Sequence, residues 1–248
     1  MIYPVFHIPH DGTLFPEELM DSVCIPMDRF LRYHELMRDR DVRKLVPVRY
    51  REERHCVCFP VSRLLCDVER FIGPREIMER YGMGYCYERA YDGQRIKNVT
   101  AEVLTRTRRY YERHHQRLDR LCRRRDNVVL IDLHSFSDAL VPKEFLISGR
   151  DTPDVCIGTD PVYSDPMLAS AAERVFQTAG FSTDLDYPYS GCLIPNHVLS
   201  GSYRGRFRGI MLEVNRRICF EGEGNTSDGR LSLLRELVGR LVERWGGM

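Results

Sequence analysis

The sequence predicts an α/β fold in which helices cover both faces of a central sheet. Short segments rich in β-branched and aromatic residues recur along the chain, and several are nearly all apolar, which is typical of buried central strands. Longer segments with apolar residues spaced three and four apart lie between them and predict helices. Because strands and helices alternate, the sheet is expected to be covered by helices on both sides.

The predicted elements follow in chain order. Six strands are predicted at Tyr3–Ile8, 46–50, 57–62, 128–133, 155–157 and 209–214. Four helices are predicted at 27–45, 100–125, 166–179 and 231–245. The helix at 100–125 is the clearest, because its apolar stripe is regular enough to define a buried face. That stripe consists of Leu104, Thr107, Tyr111, His114, Leu118 and Leu121.

The chain contains no internal repeat, low-complexity tract or linker rich in proline, glycine and serine. Its 248 residues suit one α/β domain, so a single domain spanning 1–248 is predicted.

The basic residues are 34 arginines and only 3 lysines, and the formal net charge is +1. A charge near zero argues against a dedicated nucleic-acid or polybasic membrane binder. Nine arginines crowd 106–125, but they occupy the faces that the apolar stripe leaves over, so a solvated helix surface is favoured over a nucleic-acid contact.

Hydropathy and cysteine content place the protein among soluble proteins. No window approaches 18 apolar residues, and the N-terminal segment lacks the pattern of a secretory signal. The nine cysteines are odd in number and scattered, which is typical of reduced thiols. A soluble cytoplasmic protein is therefore expected.

Three polar sites stand where apolar strands end, and such positions collect ligands in α/β sheets. His10 follows the first strand, with Gly12 allowing close backbone approach. Asp132 and His134 are two residues apart in a strand and share a face, so a carboxylate there is placed to orient an imidazole that binds metal. Glu213 interrupts an apolar strand, and its burial requires a partner, a metal or a raised pKa.

Two histidines and a strand glutamate are the parts of a zinc site with a general base. Catalytic zinc usually has three protein ligands, so a third, carboxylate ligand is expected. Asp39 and Asp41, late in the predicted helix 27–45, are both candidates.

Several motifs resemble, in order along the chain, those of the N-formylglutamate amidohydrolase family, which is distantly similar to zinc carboxypeptidases. The matching segments are Pro9-His10-Asp11-Gly12, Asp39 to Leu45, Asp67-Val68-Glu69-Arg70, Gly84 to Gly93, His114 to Leu118, Asp132-Leu133-His134-Ser135 and Met211-Leu212-Glu213.

The resemblance implies a three-layer α/β/α fold with a mixed, mostly parallel sheet and one zinc ion per chain. It implies His10, Asp39 and His134 as the metal ligands and Glu213 as the general base. The implied activity is removal of an N-formyl or small N-acyl group from an acidic amino acid, a small-molecule substrate. Substrate contacts are expected from Arg70, Arg75 and His115, and supporting roles beside the metal ligands from Asp132 and Ser135.

The sequence departs from the family pattern at Glu69, where the family has an asparagine beside the carboxylate-binding arginine. An anionic side chain there repels a dicarboxylate unless Arg75 or another cation compensates. Two alternatives therefore stay open: a zinc peptidase or deacylase with another substrate, and a ligand-binding protein without catalysis.

Overall fold

The computed structural model of the chain describes residues 2–218 and 226–247. The chain divides into two compact units. The sheet unit comprises Met1–Ile8, Asp41–Val57 and Asp119–Met248, and the second unit comprises Pro9–Arg40 and Cys58–Leu118. The single domain over 1–248 stays a prediction.

A six-stranded sheet forms the core of the sheet unit. Its strands are β1 Tyr3–Ile8, β2 Cys56–Cys58, β3 Asn127–Phe136, β4 Val155–Gly158, β5 Thr183–Leu185 and β6 Arg206–Asn215. They lie in the order β2-β1-β3-β6-β4-β5. β3 runs parallel to both β1 and β6, and β5 runs parallel to β4, whereas β4 is antiparallel to β6.

β3 and β6 are the two long central strands. Both are buried over all but their first residue, as their apolar sequences predict. They pair over ten residues without a break, from Asn127 opposite Arg206 to Phe136 opposite Asn215. This ladder fixes which of their side chains are neighbours.

Helices account for much of the remaining chain. They are α1 Glu17–Met20, α2 Met27–Met37, α3 Ala101–Arg123, α4 Pro166–Thr178, α5 Asn196–Leu199 and α6 Thr226–Gly246. On α3, Thr107, His114 and Leu118 are buried, and most of the arginines are exposed, as the sequence predicts. In the described part of the chain, no helix is long and apolar enough to cross a membrane.

The predicted fold class, α/β with a mixed and mostly parallel sheet and helices on both sides, is confirmed. The predicted strand at 46–50 is wrong, because Pro47 starts a 3₁₀ turn, Val48–Tyr50. The strand predicted at 57–62 is shorter and starts earlier, at Cys56–Cys58.

The predicted helix 27–45 ends early. α2 stops at Met37, where Arg38 adopts an extended conformation, and Asp41 has a left-handed backbone with φ of 66°. A 3₁₀ turn, Val42–Leu45, follows. Asp39 therefore lies in an irregular segment, not on a helix.

Eight cysteines are free thiols, and the ninth, Cys219, lies outside the described residues.

Candidate metal centre

In the sheet unit, the candidate residues lie near the carboxyl ends of β3 and β6. His134 on β3 is directly opposite Glu213 on β6, and paired residues of parallel strands project from the same face of a sheet. Asp132 lies two residues before His134 and shares that face. All three side chains are buried. The strand pairing thus brings the predicted imidazole and the predicted base side by side.

Asp132 is the acceptor that holds this group together. Its Oδ1 accepts a hydrogen bond from His7 Nδ1 at 2.7 Å and lies 3.3 Å from His134 Nε2. Its Oδ2 accepts from the Leu193 backbone N–H at 2.8 Å. Burial alone would raise the pKa of Asp132, but His134 and His7 hold that pKa well below its usual range. The carboxylate therefore stays ionised.

Two further residues are neighbours of His134 and Glu213: Ser135 follows His134 in the chain, and Cys156 lies on the strand next to Glu213. Ser135 Oγ accepts a hydrogen bond from the buried Arg216 Nε at 3.2 Å. Cys156 on β4 is opposite Glu213, and burial raises the pKa of this thiol to about 12. Glu213 therefore has a neutral thiol on one side and an imidazole on the other.

In the second unit, His10 and Asp39 lie together. The Asp39 backbone N–H donates to the His10 carbonyl at 3.0 Å, and Asp39 Oδ2 lies 3.5 Å from His10 Nδ1. Two ligand atoms on a tetrahedral zinc ion are about 3.4 Å apart. Asp41, the alternative candidate, instead forms a surface ion pair with Lys44 at 3.1 Å. The geometry favours Asp39 as the ligand.

Gly12 lets the chain after His10 approach a neighbouring segment closely. A Cβ atom at this position would lie 2.5 Å from the Val61 carbonyl oxygen and 2.6 Å from that of Phe59. No side chain fits there, which agrees with the role that the sequence predicts for this glycine.

Asp67 is fully buried behind His10. Its carboxylate accepts a hydrogen bond from the Glu69 backbone N–H. Four side-chain groups also contact this carboxylate, three by hydrogen bonds and Arg70 by an ion pair. These are His10 Nε2 at 2.9 Å, Tyr87 Oη at 2.7 Å, Arg63 Nη2 at 3.0 Å and Arg70 Nε at 3.6 Å. Burial opposes ionisation, but His10, Arg70 and Arg63 hold the pKa of Asp67 well below its usual range.

The predicted substrate residues differ in their placement. Arg70 is partly buried and faces Asp67, whereas Arg75 is exposed. His115 is buried on α3, and its Nε2 donates to the Val68 carbonyl at 2.8 Å. Within the second unit, His10 and Arg70 therefore contact Asp67, Asp39 contacts His10, and His115 contacts the segment that carries Asp67.

Both candidate histidines have a carboxylate near Nε2, as a hydrogen bond of 2.9 Å at His10 and as a longer contact of 3.3 Å at His134. Each imidazole has its Nε2 beside a buried carboxylate, Asp67 for His10 and Asp132 for His134. A carboxylate at that position favours the tautomer with the proton on Nε2, so Nδ1 carries the lone pair that a metal ion requires. The donor set fits zinc, and the described residues include groups of histidine and carboxylate side chains that could hold a metal ion.

Sequence reasoning assigned no role to four residues of these groups: His7, Arg63, Asp67 and Tyr87. Asp67 lies in the motif that matched Arg70, so the motif marked the segment but not the function of its first residue. His7 and Tyr87 are recognisable only from contacts between segments separated in the chain, and Arg63 only from the irregular backbone that brings it to Asp67 four residues later.

Comparisons with known proteins bear on the whole chain. A sequence model of the N-formylglutamate amidohydrolase family matches residues 3–219. A solved N-formylglutamate amidohydrolase from Ralstonia eutropha JMP134 is similar in structure, with a TM-score of 0.78 and 19% identity over 98% of this chain and 93% of that one. A gene product of Agrobacterium tumefaciens has a TM-score of 0.64 and 18% identity over 98% and 92%. No curated protein matches the sequence.

Proposed function

Because the chain belongs to the N-formylglutamate amidohydrolase family, we propose that it is a zinc-dependent hydrolase that removes an N-formyl or small N-acyl group from an acidic amino acid. With N-formylglutamate and water, the products are glutamate and formate. The observation that carries the proposal is the repeated pairing of a candidate histidine with a buried carboxylate, since such pairs orient imidazoles for metal binding.

The metal ligands in this proposal are His10, Asp39 and His134. Asp67 and Asp132 would orient the two imidazoles and make them more basic donors. When bound, zinc supplies Lewis-acid polarisation of a carbonyl group and acidifies water.

Glu213 is the proposed general base. Its position opposite His134 places a carboxylate next to a proposed ligand, where it would accept the proton of the attacking water. It would then deliver that proton to the amide nitrogen, so that the amine leaves as a neutral group. The hydrogen bond from Arg216 to Ser135 would hold the end of β3 in place beside Glu213.

Arg70 is the proposed contact for the substrate α-carboxylate, because a guanidinium group binds a carboxylate with two parallel hydrogen bonds. Arg75 is exposed and would supply a second, weaker cation. His115 would support this region through its bond to the Val68 carbonyl, two residues before Arg70. Its direct contact with substrate stays a prediction.

Two observations favour a second candidate, hydrolysis of another N-acyl or peptide substrate. Arg70 already faces the Asp67 carboxylate, and Glu69 adds an anionic side chain next to it in the chain. Both reduce the positive potential available to a dicarboxylate substrate.

The experiment that separates these candidates is a zinc-loaded assay of product release. Formate release is measured with N-formylglutamate, and amine release with a panel of N-acyl amino acids and dipeptides. Formate release from N-formylglutamate as the preferred reaction supports the first candidate, and preference for another panel member supports the second. Substrate binding without any hydrolysis by zinc-loaded protein would refute both and leave a ligand-binding protein.

Metal analysis tests the ligand set independently of activity. One zinc ion per chain is expected in the native protein, with a sharp loss in His10→Ala and His134→Ala. Unchanged zinc content in both variants would remove these histidines from the proposal.

A further inference from the structure

Lys97 is an unusual residue in this chain. The protein has 34 arginines and 3 lysines, and yet one of the lysines is almost completely buried, with 1% of its surface exposed. Its Nζ donates to the Leu65 carbonyl at 3.1 Å and to Cys86 Sγ at 3.4 Å. Within the described part of the chain, no carboxylate lies within ion-pair distance of it. A buried ammonium group without a carboxylate is costly, so burial favours the neutral form of this amine.

Cys86 and Lys97 are kept together by the backbone. The amides of Ile96 and Lys97 both donate to the Glu88 carbonyl, at 2.9 and 3.3 Å. Next to this pairing, Arg89 and Arg95 form an antiparallel bridge. The contact between the sulfur and the amine is therefore part of a defined local structure.

The remaining neighbours of the pair define its chemistry. Thr107 Oγ1 donates to Cys86 Sγ at 3.5 Å, and Cys66 Sγ donates to the Thr107 carbonyl at 3.8 Å. Cys86 retains 7% exposure, whereas Cys66 has none. A small oxidant therefore reaches Cys86 first. Burial lowers the pKa of Lys97, which increases the fraction of the amine in its unprotonated, nucleophilic form.

We propose that Cys86 and Lys97 are the site of a reversible oxidative cross-link, a sulfenamide bond between Cys86 Sγ and Lys97 Nζ. A peroxide first oxidises the thiol to a sulfenic acid and releases one water. The Lys97 amine then attacks the sulfur, the S–N bond forms, and the S–O bond breaks with loss of a second water. In sum, Cys–SH, Lys–NH₂ and H₂O₂ give Cys–S–NH–Lys and two H₂O, so sulfur is oxidised and the peroxide is reduced.

The Cys86–Lys97 pair is connected to the surroundings of Asp67 through neighbouring residues in the chain. Lys97 donates to the carbonyl of Leu65, which lies two residues before Asp67. Cys86 is followed in the chain by Tyr87, which donates a hydrogen bond to Asp67. A bond to Cys86 would draw the Lys97 amine away from the Leu65 carbonyl. This inference stands without the proposed hydrolase activity, since it rests on residues that have no part in that mechanism.

The test is peptide mapping of the full-length protein after treatment with hydrogen peroxide, alkylation and trypsin digestion. The expected product joins peptide 81–89 to peptide 96–106, because a linked Lys97 is no longer cleaved by trypsin. Its mass is two hydrogens below the sum of the two peptides. Dithiothreitol should restore the separate peptides, since thiols reduce a sulfenamide.

Three variants define the atoms involved. The cross-link should persist in Cys66→Ser and be absent from Cys86→Ser and Lys97→Met. Loss of the link in Cys66→Ser, with a Cys66–Cys86 disulfide in the native protein, would overturn the proposal. So would recovery of peptide 81–89 with Cys86 unmodified or oxidised only to an acid. The native protein alone decides this point, so poor folding of a variant does not leave the question open.

Discussion

Replacing Asp67 by asparagine tests the arrangement around His10 most directly. The change preserves the shape of the side chain but removes its charge. His10, Tyr87, Arg63 and Arg70 all lie against this carboxylate. In the variant, two partly buried guanidinium groups lose the anion that they share, and the His10 imidazole faces a neutral amide instead of a carboxylate.

The expected destabilisation follows from that loss. Removing one partner of a buried ion pair costs about 3–5 kcal/mol, and the retained amide oxygen places Asp67→Asn at about 3 kcal/mol. For a chain of this length, that corresponds to a decrease in Tm of about 6–12 °C. If Asp67 orients His10 for metal, zinc affinity should also fall about 10- to 100-fold.

The assays are thermal unfolding of the metal-free protein and competition for zinc against a calibrated chelator. Asp151→Asn, at an exposed aspartate, is the matched control and should leave both quantities unchanged. Tyr87→Phe removes one donor to Asp67 and should cost about 1–2 kcal/mol, with less than additive effects in the double variant. A Tm within 1 °C of the native value (about 0.3 kcal/mol at this size), with unchanged zinc affinity, would refute this account of Asp67.

Three other predictions use simpler readouts. Glu213→Gln should retain zinc and substrate but lose about 100- to 10,000-fold in kcat, and near-native turnover would exclude Glu213 as the base. Asp39→Ala should lose zinc affinity, whereas Asp41→Ala should lose only a surface ion pair with Lys44, so the reverse result would place the ligand two residues later. His34 should make stability depend on pH, because burial lowers its pKa to about 4 from 6.5. The folded state then binds fewer protons than the unfolded state between pH 6.5 and 4, so the free energy of unfolding falls by up to about 1.4 kcal/mol per pH unit as the pH decreases through that range. Urea unfolding of the native protein and His34→Gln should differ by this pH-dependent amount, and parallel pH profiles would contradict it.

The sequence predicts the central strands well and the short elements poorly. β1, β3, β4 and β6 are apolar enough to be recognised from composition alone. β5 was missed because its three residues, Thr183–Leu185, are partly exposed and include an aspartate. The error at 46–50 arose because β-branched residues favour strands, whereas Pro47 sets the local backbone.

The sequence likewise predicts some residues of the candidate site and not others. His134 and Glu213 were identifiable because a polar residue in an apolar strand requires an explanation, and their adjacency then follows from strand pairing. Arg63 and Arg70 reach Asp67 from four residues before it and three after it, in an irregular segment whose backbone no helix or strand period predicts, and Tyr87 reaches it from a separate segment. The position of Asp39 beside His10 likewise depends on where α2 ends, which helix periodicity did not predict.

The unbroken ladder between β3 and β6 has a consequence for how this protein tolerates insertions and deletions. Side chains of a strand alternate between faces, so a register shift of one residue moves every side chain of that strand to the opposite face. An insertion of one residue early in β6 that slipped the ladder would therefore turn Glu213 away from His134 without altering either residue. Length changes are consequently expected in the loops that flank these two strands, and the strands themselves should keep their lengths even where individual side chains vary.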